Sequence, residues 1–139
     1  MNQKVKMKPS YLKIAFLDRD GTLIKDYPDE KWREIKEPEF LEGSIEGLKR
    51  LKEMGYDFII ITNQYLINDG IISLNDYQQF TGKFLKKLKE ENIDILKIYF
   101  CPHNEKDHCH CKKPKPGMIE QAKKDFLIDM NNSIYIGDS

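Results

Sequence analysis

The run Phe58-Ile59-Ile60-Ile61, inside an apolar stretch over 56–62, constrains the fold more than any other segment. Successive side chains of a strand point to opposite sides, so a strand with one wet face alternates polar and apolar residues. This run has no polar alternate. Both of its faces must be covered, as in parallel sheets flanked by helices. Further apolar strands are expected over 12–17, 95–100 and 133–136. Between them fall helical patterns. Ser44 is placed to cap a helix through Met54, with Ile45, Leu48, Leu51 and Met54 on one face and Gly55 at the stop. Ser73-Leu74-Asn75-Asp76 reads as a helix start with a capping acid, continuing to Glu91 and burying Leu74, Tyr77, Phe80, Phe84 and Leu88. A last helix covers 116–126. Strands alternating with helices predict right-handed crossovers and a doubly wound α/β domain.

At 139 residues the chain suits one domain, read as a lysine-rich flexible tail over 1–10 followed by the domain over 11–139. Lys plus Arg equals Asp plus Glu at 23 each, which argues against broad nucleic-acid or membrane-surface binding. No apolar run approaches the ~20 residues needed to span a membrane, and no signal-peptide core follows Met1. A cytoplasmic location is expected.

Polar chemistry gathers at the strand ends. The first strand runs into Asp18-Arg19-Asp20-Gly21-Thr22. Residues two apart on a strand share a side, so Asp18 and Asp20 can aim at one point while Arg19 points away. Like charges at close range repel, so the pair suits a site where a cation sits between them and an anion is attacked. The second strand ends in Thr62-Asn63-Gln64 and the fourth in Gly137-Asp138-Ser139. Ligands of open parallel sheets collect at this edge. Asp138 becomes a third oxygen donor for Mg²⁺. Lys113, just before a Pro-Gly helix start, is placed to neutralise phosphate charge, and Lys115 reads as solvated surface. The polar stretch 25–39, with Pro28, Pro38 and the only tryptophan, Trp32, is either a flap over the site or a long loop.

All three cysteines and all three histidines lie between Cys101 and Cys111. Cys101-Pro102-His103 and Cys109-His110-Cys111 are two pairs with one residue between partners, which in extended backbone point the same way. Together they make a Cys₃His set for structural Zn²⁺, with no open position for chemistry. The same parity turns His108 and His110 away.

These residues resemble the haloacid dehalogenase superfamily of phosphatases. Asp18-Arg19-Asp20-Gly21-Thr22 is similar to its first motif, Thr62-Asn63-Gln64 to its second, Lys113 to its third and Gly137-Asp138 to the start of its fourth. The cysteine run and the following Lys112-Lys113-Pro114-Lys115-Pro116-Gly117-Met118 resemble its zinc-loop branch, that of the heptose 1,7-bisphosphate 7-phosphatases and histidinol-phosphate phosphatases. The resemblance implies a Mg²⁺-dependent phosphomonoesterase. Asp18 would be the nucleophile that forms an aspartyl-phosphate. Asp20 would be the acid and base, its backbone carbonyl on Mg²⁺. Asp138 would complete the metal site. Thr62 and Lys113 would stabilise the transferring phosphoryl, with Asn63, Gln64 and Lys112 near the substrate.

Within that branch a sugar bisphosphate is the expected substrate and histidinol phosphate the alternative. Tyr65-Leu66 stand where the heptose enzymes commonly have Ser-Gly, and Lys112 where relatives often have Arg. The chain also stops at Ser139, where relatives run on through another strand and helices. It is therefore read as a C-terminally truncated member whose fourth strand is left as an apolar edge, and an inactive zinc-binding fragment is the reading of another class.

Overall fold

The computed structural model describes residues 10–137 and contains one sheet of four strands: β1 (Ile14–Leu17), β2 (Asp57–Asn63), β3 (Ile95–Cys101) and β4 (Ile134–Ile136). Their order is β3-β2-β1-β4 and every pairing is parallel. The chain builds outward from β1 through β2 to β3, then returns to lay β4 against the other side of β1. The winding direction thus reverses beside β1, and the crevice at such a reversal is where an open α/β sheet binds ligands.

The helices follow that reversal. α1 (Ser44–Glu53) and α3 (Leu74–Glu90) cover one face, where Leu48, Phe84 and Leu88 pack with Ala15, Leu17, Phe58 and Ile60. α4 (Gly117–Asp125) covers the other, where Met118 and Ala122 pack with Ile14, Phe16, Ile59 and Ile61. The apolar run of β2 therefore divides its side chains between two cores, as its lack of alternation demands. Each isoleucine so buried contributes roughly 1.5–3 kcal/mol by removal from water. No helix is long and apolar enough to cross a membrane among the described residues.

α3 starts as expected. The Ser73 hydroxyl accepts from the Asp76 N–H at 2.9 Å, and the Asp76 carboxylate accepts from the Ser73 N–H at 3.2 Å. These bonds, the one from the Ser73 backbone foremost, hold the Asp76 carboxyl below the usual carboxylate range. Tyr77, Phe80, Phe84 and Leu88 are buried, but Leu74 is exposed because it belongs to the first turn, before the helix reaches the core. α1 differs more. Its cap is Gly43, at φ +82°, and Ser44 lies inside the first turn with a buried hydroxyl that finds no partner. Met54 falls beyond the last helical residue and is exposed, leaving Leu48 as the buried residue of that face.

The stretch 25–39 is structured. It contains a 3-10 turn, Asp29–Glu34, anchored by buried Trp32, whose ring meets Tyr27 and Phe80 edge-on at 5.1 and 5.6 Å. A short helix unforeseen in the sequence, α2 (Tyr65–Asn68), follows β2. The expected basic tail, apart from Ser10, lies outside the described residues, as do Asp138 and Ser139.

Candidate active site

The carboxyl ends of β1 and β2 open into a cavity of about 210 Å³ that gathers Asp18, Asp20, Thr62, Asn63, Gln64 and Lys113. Asp18 follows the last residue of β1, and its backbone N–H donates to the Ile136 carbonyl at 2.9 Å, tying it to β4. Its Oδ1 accepts from the Arg19 N–H at 2.9 Å and lies 2.9 Å from Lys113 Nζ. This ion pair is nearly dry, with 9% of the Asp18 side chain and 5% of the Lys113 side chain exposed. The low local dielectric strengthens the attraction and fixes the carboxylate. Gly137 passes so close to Asp18 that a Cβ built on it would sit 2.8 Å from the Asp18 Cβ.

Asp20 is held separately. Arg19, 2% exposed, forks onto both of its oxygens, with Nε to Oδ1 at 2.7 Å and Nη2 to Oδ2 at 3.2 Å. Gln64 Nε2 donates to the same Oδ2 at 3.0 Å and to Thr62 Oγ1 at 2.9 Å. This corrects the expectation that Arg19 simply points away. The backbone turns at Gly21, φ +83°, and the long side chain curls back to Asp20. The guanidinium lies 5.1 Å from the Phe80 ring and 5.5 Å from the Tyr77 ring of α3, contacts that offset its desolvation. Sequence alternation missed Arg19 because it describes a strand, and the strand has ended.

Lys113 arrives from a segment of its own. Asn63, at the end of β2, accepts from the Lys113 N–H at 2.9 Å and donates to the Lys113 carbonyl at 3.3 Å. That double bond to the main chain aims the lysine, and the Tyr135 hydroxyl accepts from its Nζ at 3.3 Å. Lys112 is not among the lining residues; its ammonium lies 5.9 Å from the Tyr65 ring. Lys115 is exposed and donates to the Cys109 carbonyl at 2.8 Å.

At the end of β3 and in the loop that follows, Cys101, His103, Cys109 and Cys111 bring their donor atoms within 4.8 Å of one another. Three cysteine sulfurs and one imidazole nitrogen gathered this closely are the donor types of a structural zinc, and in their chemistry they fit that ion. Burial, then a hydrogen bond shared with Cys111, pushes the Cys101 thiol up to about 12. Burial also acts upward on Cys109, but the Lys112 N–H and the neighbouring thiols bring it down to about 6. His110 is outside the cluster and pairs with Glu120 at 2.9 Å. The loop closes on α4 at Gly117, where a Cβ would collide with the His110 carbonyl oxygen.

The cavity wall includes residues not singled out in the sequence, Asp26 and Asp29, besides Trp32, Tyr65 and Leu66. Their signal was the pair of acids beside the only tryptophan.

The family model described as polynucleotide kinase 3 phosphatase matches residues 13–139. The D-glycero-alpha-D-manno-heptose-1,7-bisphosphate 7-phosphatase of Photorhabdus laumondii is 43% identical over 140 residues, covering 95% of this chain and 75% of that protein. The D-glycero-beta-D-manno-heptose-1,7-bisphosphate 7-phosphatase of Haemophilus influenzae is 42% identical over 132 residues, covering 91% and 71%. Among solved structures, the D,D-heptose 1,7-bisphosphate phosphatase of B. bronchiseptica, complexed with magnesium and phosphate, is similar with a TM-score of 0.79. It is 26% identical, and the likeness covers 92% of this chain and 71% of that one.

Proposed function

Because the chain belongs to the polynucleotide kinase 3 phosphatase family and has the fold of the haloacid dehalogenase-like phosphatases, we propose that it hydrolyses a heptose 1,7-bisphosphate through an aspartyl-phosphate. It is a phosphatase; the substrate, the metal and the residue roles are our reading. The observation that carries them is the convergence of Asp18, Asp20, Thr62 and Lys113, from three separate segments, on one cavity.

In this mechanism an Asp18 oxygen attacks phosphorus while the phosphorus–oxygen ester bond breaks, and Asp20 gives its proton to the departing sugar oxygen. Asp20 then takes a proton from water, whose oxygen attacks the same phosphorus. Inorganic phosphate leaves and Asp18 is restored. Lys113 and Thr62 face charge that grows on the phosphoryl oxygens in both steps. Arg19 and Gln64 keep Asp20 in the orientation for proton transfer. Asp18 and Asp20 offer oxygen donors that suit Mg²⁺, which when bound would offset the charge of carboxylate and phosphate together. Asp138, the expected third ligand, lies outside the described residues. The Cys₃His cluster would hold Zn²⁺ and order the loop that delivers Lys113.

The test is phosphate release from heptose 1,7-bisphosphate, histidinol phosphate and a 3′-phosphorylated oligonucleotide, with and without added Mg²⁺. The heptose is expected to be turned over fastest and only with the metal. Preference for either other substrate, or turnover indifferent to Mg²⁺, overturns the assignment.

A further inference from the structure

A second cavity, of about 160 Å³, lies between the segment 25–39 and α3 and shares only Trp32 with the first. Trp32, Ile35, Ile72, Tyr77 and Phe80 give it apolar walls. Arg19, Arg33, Lys36 and Lys83 give it four cations against one acid, Asp76. That acid is engaged by the Ser73 N–H, and Lys36 acts on it only through charge. Arg33 and Lys83 are paired with Glu30 and Glu37, whereas Lys36 has no ion pair among the described residues.

Two buried groups of this lining leave hydrogen-bonding capacity unused. Arg19 is 2% exposed and commits three of its five N–H groups, two to Asp20 and one to Thr81 Oγ1 at 3.4 Å. Tyr77 is 4% exposed, and its hydroxyl has no hydrogen-bond partner among the described residues. Burial pushes that hydroxyl up, so it keeps its proton. A buried donor without an acceptor is uncommon, because it has given up its bond to water and gained none in return. One negatively charged acceptor would satisfy both donors. The walls admit a flat apolar body, since an apolar cavity of about 150 Å³ is large enough for a benzene ring.

We propose that this cavity binds a small carboxylate with a flat apolar body, and that its occupancy is coupled to Asp20 through Arg19. The carboxylate accepts from Tyr77 and from the Arg19 N–H groups that Asp20 leaves unused, while Lys36 offsets its charge. The body lies against Trp32, Ile72 and Phe80. A guanidinium shared between two anions holds each less firmly, so the fork onto Asp20 loosens as the cavity fills.

Trp32 is the only tryptophan of the chain and borders the cavity, so its emission reads occupancy without turnover. Benzoate is the probe and benzyl alcohol its uncharged counterpart, each titrated with and without inorganic phosphate. Benzoate is expected to saturate with a Kd near or below about 1 mM, at least about tenfold tighter than benzyl alcohol, and to keep that Kd in phosphate. Tyr77→Phe keeps the ring and removes an unpaired hydroxyl, so the melting temperature should not fall. It is expected to raise the benzoate Kd at least about tenfold, the cost of a lost hydrogen bond to a charged group, and Lys36→Ala about two- to fivefold. No saturation, competition with phosphate, equal affinity for benzyl alcohol, or a Kd indifferent to Tyr77→Phe overturns the site. The coupling rests on the phosphatase reading above. Saturating benzoate is expected to lower kcat for p-nitrophenyl phosphate about two- to tenfold with KM unchanged, and saturation that leaves kcat unchanged overturns the link to Asp20. Benzoate binding by a chain that hydrolyses nothing keeps the site and removes the phosphatase reading.

Discussion

The cysteine cluster takes all four of its donors from one short stretch of chain, the last residue of β3 and the loop that follows to Cys111, whereas the carboxylate cavity takes its residues from the end of β1, the end of β2 and the segment before α4. The first needs only short-range spacing to bring its ligands together. The second exists only once β1 and β2 lie side by side in parallel, Leu17 against Ile60, with Lys113 brought to Asn63 by the loop. A local site can be lost without losing the fold, and a dispersed site can be silenced without disturbing the local one.

Asp18→Asn tests that independence most sharply. Turnover is expected to fall at least about a thousandfold while zinc per chain, measured by mass spectrometry, stays unchanged. A coupled loss of zinc would break the contrast. Cys109→Ser is the converse. Zinc content should collapse and the melting temperature fall by roughly 5–10 °C, with activity reduced in step with the loosening of Lys113 rather than abolished.

Arg19→Met probes a link inside the cavity. Leaving Asp20 without its fork should cost about 3 kcal/mol of stability and lower kcat roughly tenfold. Arg19→Lys should restore stability better than kcat, because an ammonium keeps charge without the fork. Chemical denaturation and steady-state kinetics give the two readings.

Ser73→Ala touches neither region and should lower the melting temperature by only about 2–4 °C with kcat unchanged. Its pH dependence has a defined sign. The cap holds Asp76 below 3.8, so its contribution is present at neutral pH and lost as pH falls through the folded value. The bond from the backbone N–H of residue 73 survives in Ser73→Ala, so it is the melting curves of wild type and Asp76→Ala that should converge in acid.

The same contrast explains what could be read in advance. The unbroken Phe58–Ile61 run implied a sheet covered on both sides, and β2 does divide its side chains between two cores. The cysteine spacing implied a cluster of donors, and the four atoms do come together. Strand-end residues Asp18 and Thr62 share a cavity because parallel strands align their carboxyl ends, and Asn63 at the same edge holds Lys113 there. The fork of Arg19 onto Asp20 and the bond of Tyr65 to Asp29 were not legible. Each depends on side-chain reach after the regular element has stopped, where no periodicity applies. The cap of α1 escaped for a related reason. A serine one residue inside a helix and a serine at its cap look alike in sequence, and only the left-handed Gly43 separates them.

Gly137 brings no functional group to the cavity, yet a methyl there would meet the Asp18 Cβ at 2.8 Å and the Tyr135 hydroxyl at 2.9 Å. Neither neighbour can yield freely: one is rooted in the backbone, and the other is tied to Lys113. Empty space is thus a working part of the site. The smallest possible enlargement at position 137 would shift the Asp18 carboxylate by tenths of an ångström, a displacement to which the proposed attack is steeply sensitive. A survey of variants scored by activity is expected to rank this glycine beside Asp18 and Lys113, although it brings no side chain to the cavity.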